Sequence, residues 1–121
     1  MTKESLGYIK NLLINNGINY EFMEWTGDPQ YPYFVGEYQE DPSMNEDGIQ
    51  ESTFILTGFN RGKWLDLENA KKTIKKITNI TDILPNGNGI SILYRNSSVI
   101  PTGEANFQHI EIQLEIKELE V

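Results

Sequence analysis

The chain has 121 residues and a formal charge of −8, from 18 acidic and 10 basic side chains, and it contains no cysteine. The missing thiols exclude disulfides, cysteine nucleophiles, iron–sulfur clusters and cysteine-ligated zinc. The acidic balance argues against a protein that holds nucleic acid or an anionic membrane through phosphate contacts. No apolar run has the length of a signal peptide or a membrane span, so we expect one soluble domain over residues 1–121.

The chain begins with a helix and a short extended segment. Residues 2–15 carry an apolar stripe at helical spacing, with Thr2 as a suitable N-cap and Gly17 as a suitable end. Residues 19–25 predict a strand, and the sequence TGDP at residues 26–29 predicts a turn.

The middle of the chain predicts a long hairpin. Residues 31–40 are rich in aromatic side chains, and residues 49–59 are rich in β-branched and aromatic ones, which favours two strands. The connecting loop, residues 41–48, is polar and acidic. The second strand ends in a tight bend between Gly58 and Gly62.

The second half predicts a lysine-rich helix over residues 66–78 and two strands over residues 90–96 and 107–118, with a turn region at 97–104. In the last strand apolar and polar residues alternate, so one face is buried and the other is wet. The buried face of the helix is predicted to carry Leu65, Leu67, Ala70, Ile74 and Ile77.

This element order, α-β-β-β-α-β-β, predicts an α+β domain. We expect a mainly antiparallel sheet of four to five strands with two helices packed on one face. The other face combines large and polar side chains, which is a usual place for contact between subunits.

Two blocks of opposite charge follow one another in the chain. Residues 37–51 hold six acids and no base, and residues 61–76 hold six bases and two acids. Such blocks suit pairing between copies of the chain. A solvated surface explains them equally well, so the sequence leaves both readings open.

No motif predicts catalysis. The single histidine, His109, lies on the wet face of the last strand, and Glu111 and Glu115 on the same face are about 13 Å apart along it, beyond the range of a glycosidase pair. The loop at residues 43–48 resembles the start of an EF-hand, but Phe54 stands where the last carboxylate ligand is needed. We therefore expect no enzyme activity, no metal site and no cofactor.

The residues at the entry to the second helix have two interpretations, and the first is a small contact patch. Arg61, Lys63 and Trp64 combine basic and aromatic character within four residues. The alternative is a simple helix-entry turn in which Trp64 is partly buried, and the sequence does not separate the two.

Several segments together resemble tail-terminator (tail completion) proteins of long-tailed bacteriophages and of prophages in Gram-positive bacteria. The resemblance covers residues 31–121 best. It rests on the aromatic strand YPYFVGEY (31–38), the loop NEDG (45–48), the strand ESTFILTGFNRG (51–62), the helix LENAKKTIKKI (67–77) and the end of the last strand, IKELEV (116–121).

This resemblance implies a structural virion protein. Such proteins cap the tail tube as a ring, usually of six copies, and form the surface that joins the head. The implied partners are further copies of the chain, the tail tube protein and a head-side neck protein. DNA crosses the ring without specific binding, and an acidic lumen would keep it from sticking. The implied location is the neck end of the virion tail, after synthesis in the host cytoplasm.

We hypothesise that acids of the hairpin meet the lysines of the second helix on the next copy. The alternatives are another neck component, such as a head-closure or connector protein, and a non-viral domain that binds a small molecule. The candidate interface residues are Glu40, Asp41, Glu46, Asp47, Arg61, Lys63, Trp64, Lys72 and Lys75.

Overall fold

A computed structural model describes residues 1–40 and 48–120. Two helices and six strands follow one another in the order α-β-β-β-α-β-β-β. Their bounds are α1 (Lys3–Asn15), β1 (Asn19–Phe22), β2 (Tyr33–Glu40), β3 (Ile49–Arg61), α2 (Trp64–Ile77), β4 (Ile80–Ile83), β5 (Gly89–Ile100) and β6 (Phe107–Leu119).

The six strands form one mixed sheet in the order β1-β2-β3-β6-β5-β4. β1 runs parallel to β2, and the other neighbours pair antiparallel. The long strands β3 and β6 pair along their whole length at the centre, from Ile49 opposite Leu119 to Arg61 opposite Phe107. The predicted hairpin of residues 31–59 is therefore confirmed between β2 and β3, while its acidic loop, residues 41–47, lies outside the described residues.

The expected α+β class with two helices is confirmed, but the strand count and order were wrong. The sheet has six strands, because Ile80–Ile83 forms β4 against the start of β5. β5 also continues to Ile100, through residues expected to turn, because its second half pairs with β6 after a bulge near Arg95. Both differences depend on pairing with distant strands, which local sequence does not encode.

Helix α1 starts as the sequence predicts. The Thr2 side chain accepts a hydrogen bond from the backbone N–H of Ser5 at 3.1 Å, which satisfies one of the free donors of the first turn. After the helix, Gly17 takes a positive φ of 80°, a conformation that glycine adopts without strain.

One face of the sheet is covered by both helices. Side chains of α1 and α2 share a core cluster with alternate residues of the strands, which explains the strict alternation of buried and half-buried positions in β3 and β6. The fully buried residues include Ile9, Leu13, Phe34, Phe54, Leu56, Leu67, Ile74, Ile92, Ile112 and Leu114. Leu65, expected in the core, is 59% exposed, because at roughly 100° per residue it lies on the side of α2 opposite its buried residues Leu67 and Ile74.

Close packing on this face requires glycine at one position of β3. A Cβ atom at Gly58 would lie 2.4 Å from a ring carbon of Phe34 and 2.9 Å from Ile110 Cγ2. The ring of Phe34 therefore lies directly over the backbone of its cross-strand partner.

A buried carboxylate joins the start of the chain to its last strand. Glu118 is 4% exposed and accepts hydrogen bonds from the Thr2 hydroxyl at 2.9 Å and from Asn88 Nδ2 at 2.9 Å. Burial raises the pKa of Glu118, but the hydrogen bonds from Asn88 and Thr2 outweigh it and hold the pKa below its ordinary value. The negative charge also lies at the N-terminus of α1, where the helix dipole favours it.

Candidate interaction surface

The face of the sheet without helices carries a strip of aromatic rings at one end. Phe59 is its centre, with Tyr33 at 5.2 Å on β2, Phe107 at 5.9 Å and His109 at 4.6 Å on β6, all measured between ring centroids. Trp25 adds a further ring 4.9 Å from Tyr33. Because residues at these positions alternate with the core positions, they all point away from the helices.

The strip is half-buried at most positions although no described helix or strand covers it. Tyr31 is 36% exposed at its edge, 5.5 Å from Tyr33 between ring centroids. A run of aromatic side chains that is exposed to this extent is typical of a contact surface.

Arg61 closes the strip at the end of β3. Its guanidinium carbon lies 4.7 Å from the centroid of the Phe107 ring, and its Nη1 is 3.6 Å from a carboxylate oxygen of Glu104. The neighbouring Tyr31 hydroxyl, followed by Glu104, raises the pKa of Arg61, which therefore stays charged. The cation is held within its own chain by these neighbours.

His109 is the ionisable group within the strip. Its Nε2 atom is buried and has no hydrogen-bond partner among the described residues. Burial lowers the pKa of His109, and the charge of Glu111 opposes this only in part, so the neutral imidazole is favoured. No Ser or Thr hydroxyl within residues 1–40 and 48–120 forms a hydrogen bond with this Nε2 atom.

Two cavities open on this region. One, of about 530 Å³, lies between Trp64, the loop after β5 and the residues Phe107 and His109. The other, of about 430 Å³, lies on the helix-free face beside β2; its walls include Trp25, Tyr33, Phe59 and the acids Glu24 and Glu37.

The lysines of α2 form a separate surface on the opposite side. At roughly 100° per residue, Lys72 and Lys76 lie on the side of the helix turned away from its buried residues, and both are exposed. Neither forms an ion pair in the described part of the chain, whereas Lys71 pairs with Glu68 at 2.8 Å. Lys75 lies over the ring of Tyr94, with its Nζ 5.7 Å from the ring centroid.

The candidate interface residues fall into separate places. Arg61 and Trp64 lie at the end of the sheet where the aromatic strip is found, and Lys63 is the exposed N-cap residue of α2. Glu40 lies at the far end of β2 and pairs with the amino group of Met1. Lys72 and Lys75 lie on α2, and Asp41, Glu46 and Asp47 lie outside the described residues.

Both interpretations of the helix entry have support. Trp64 begins α2, as expected of an entry turn, and is also 36% exposed beside the larger cavity. Sequence reasoning missed the residues Trp25, Tyr31, Tyr33, Phe59 and Phe107 as a surface. Three of them, Tyr33, Phe59 and Phe107, lie on odd-numbered residues of β2, β3 and β6, which is a usable signal once the strand register is known.

No group of three or more metal-binding side chains occurs within residues 1–40 and 48–120. None of the helices described there is long and apolar enough to cross a membrane. No protein-family model matches the chain, and no curated protein matches it either.

Proposed function

We propose that the protein is a structural subunit that caps the tail tube of a long-tailed bacteriophage as a ring and forms the surface to which the head joins. The observation that carries the assembly part of this proposal is the half-buried aromatic strip on the helix-free face of the sheet, which no described helix or strand covers. A surface of this kind gains stability when a partner removes it from water. The resemblance of residues 31–121 to tail terminators is the reason for proposing that this assembly takes place on the tail.

Ring formation needs two different surfaces on one subunit. A head-to-tail contact between unlike surfaces closes into a ring when the rotation between subunits permits. Here the aromatic and acidic surface lies on one side of the sheet and the free lysines of α2 lie on the other. The charge of −8 also suits a ring through which DNA passes, because like charges keep the DNA from adhering.

The test is deletion of the reading frame in a lysogen that carries it, followed by negative-stain imaging of the induced lysate. We expect full heads beside unattached tails of irregular or excessive length, and normal particles when the gene is supplied from a plasmid. Normal tails beside heads that leak or fail to join would instead assign a head-side neck protein. Intact infectious particles would exclude a virion role.

A second candidate is a domain that binds a small molecule. The open depression beside Trp64 favours it, because the buried Nε2 of the nearby His109 lacks a partner in the described chain. This candidate predicts a monomer at all concentrations and a melting temperature that rises with one ligand of a metabolite panel. A ring on the tail with no such ligand excludes it.

A further inference from the structure

The smaller cavity on the helix-free face has the composition of a site for a cation. Three of its walls are the rings of Trp25, Tyr33 and Phe59, and its rim carries the carboxylates of Glu24 and Glu37. Aromatic faces and carboxylates both attract ammonium and guanidinium groups, and they repel anions. Neither the Glu24 carboxylate nor the Glu37 carboxylate forms a hydrogen bond or an ion pair with any residue in the described ranges.

The wall that contains Trp25 is formed by a sharp turn after β1. Met23 has a φ of 71°, which is uncommon for a residue with a side chain, and its N–H donates to the carbonyl of Gly36 at 2.8 Å. The backbone N–H of Thr26 donates to the Glu21 carboxylate at 2.6 Å. These bonds direct the chain onto the helix-free face and hold Trp25 against Tyr33.

Two cations of the same chain lie near this surface. Arg61 lies over Phe107, pairs with Glu104 and is not part of the cavity wall. Lys10 lines a neighbouring depression together with Glu24, but it forms no ion pair with that carboxylate in the described part of the chain. Neither carboxylate is therefore neutralised by an ion pair within the described residues.

We propose that this cavity, hereafter the cation pocket, receives a lysine side chain of α2 from a second copy of the chain, Lys72 or Lys76. The inference rests on the proposed ring and names the contact within it. Lys72 and Lys76 are four residues apart on one side of the helix, are exposed, and pair with no described acid. The positive charges of these lysines and the negative charges of Glu24 and Glu37 can therefore pair between two copies.

The positions of the two surfaces require different copies. The cation pocket lies on the helix-free face, whereas α2 covers the other face with Lys72 and Lys76 turned away from the sheet. A lysine of α2 cannot reach the pocket of its own chain through the sheet. The contact is therefore head-to-tail, the type that builds rings.

The chemistry of the pocket is tested first in isolation. The chain has two tryptophans, so in a Trp64→Phe background the fluorescence comes from Trp25. Titration with N-acetyl-lysine methylamide is expected to change this fluorescence in a saturable way, and the uncharged norleucine analogue is expected not to. The double variant Glu24→Gln/Glu37→Gln should bind about tenfold more weakly, which corresponds to about 1.4 kcal/mol. No saturable change, or an equal response to norleucine, would overturn the cation pocket.

Crosslinking tests which residue occupies the pocket. Because the native chain has no cysteine, only the introduced cysteines can react. Glu37→Cys/Lys72→Cys and Glu37→Cys/Lys76→Cys proteins on tails from the induced lysate are treated with a bismaleimide, because a paired Lys and Glu hold their Cα atoms too far apart for a direct disulfide. At least one of the two proteins is expected to form a covalent ladder. The matched control, Glu37→Cys/Lys3→Cys, carries its second cysteine on the exposed side of α1 and should give no ladder. Binding of the lysine analogue without a ladder would overturn α2 as the occupant.

The failure of this contact and the failure of the proposed function remain distinguishable. Tails that carry the protein and end normally, but show no ladder, would leave the terminator role intact and reject the contact. Normal particles after deletion of the gene would reject the role itself, and with it the ring on which the contact rests.

Discussion

The imidazole of His109 stacks on the ring of Phe59 directly across the central strand pair, with the ring centroids 4.6 Å apart and the planes 19° from parallel. This pair places the single histidine of the chain inside an aromatic strip, where a positive charge is poorly solvated. The folded protein therefore favours the neutral imidazole of His109.

The first prediction concerns acid destabilisation through His109. Its pKa in the folded protein lies below the ordinary 6.5, so the unfolded chain binds the proton more readily. The free energy of unfolding should accordingly fall as the pH drops through about 6.5 towards the lower folded value. His109→Phe keeps the stack on Phe59 and should flatten the change in melting temperature between pH 7 and pH 5. An unchanged pH profile in this variant would contradict the assignment.

The second prediction concerns the contribution of Glu118 to stability, which is lost at a lower pH than that of His109. Because the pKa of Glu118 is depressed, its contribution to stability is present above the ordinary glutamate value and is lost as the pH falls through the lower folded value. Glu118→Ala should lower the free energy of unfolding at pH 7 by about 1–3 kcal/mol, since it removes the carboxylate that accepts hydrogen bonds from the Thr2 hydroxyl and from Asn88 Nδ2. Urea denaturation measures this loss.

A matched control separates the charge of Glu118 from its packing. Glu118→Gln retains the shape of the side chain but removes its titration, so the difference in stability from the native protein should shrink below pH 4. A difference that stays constant with pH would show that folding does not lower the pKa of Glu118.

The third prediction tests close packing over β3. Gly58→Ala places a methyl group where the ring of Phe34 lies, and the rigid core cannot move away without strain. We expect a loss of about 1–3 kcal/mol in urea denaturation. The control is Gly7→Ala on α1, where no atom lies within 4 Å of the new Cβ; it should leave stability unchanged or raise it by about 0.5–1 kcal/mol.

The fourth prediction compares two lysines of α2 in assembly. Lys72→Glu should reduce incorporation of the protein into tails more than Lys75→Glu does, because Lys75 already lies over Tyr94 in its own chain. Incorporation is measured by immunoblotting of purified tails. Charge reversal of Lys3 on α1 serves as the control, and an equal loss there would point to net charge alone.

The loop acids can be tested in the same assay. The hypothesis that they meet the lysines of α2 predicts that reversal of Glu46 and Asp47 restores the incorporation lost in a Lys72→Glu/Lys75→Glu protein. Recovery by Glu24→Lys/Glu37→Lys instead would assign the lysines to the cation pocket. The loop hypothesis is rejected if the first combination gives no recovery.

Much of the fold could be predicted because its signals are local. The N-cap at Thr2, the hairpin of β2 and β3, and the alternation along β6 follow from short-range chemistry. β4 could not be predicted in this way, because four residues with an irregular pattern become a strand only against β5.

The candidate surface was less predictable than the fold. Arg61 and Trp64 were proposed as interface residues because one is basic and the other aromatic, and both lie beside the strip. Trp25 reaches the strip only through the unusual backbone of Met23, and Phe59 meets His109 only through the register of β3 with β6. Neither relationship has a signature in neighbouring residues.

The hydrogen bond between Thr2 and Glu118 also makes a circular permutation of the chain feasible. Since these residues are in direct contact across a separation of 116 positions, a short linker that joins the chain near Glu118 to the chain near Thr2 would not cross the sheet. New ends could then be placed in the exposed loop at residues 103–106, which connects β5 to β6. Such a circular permutant would keep the sheet and helices while moving any fused label from the hairpin end of the molecule to the aromatic end, beside Trp64.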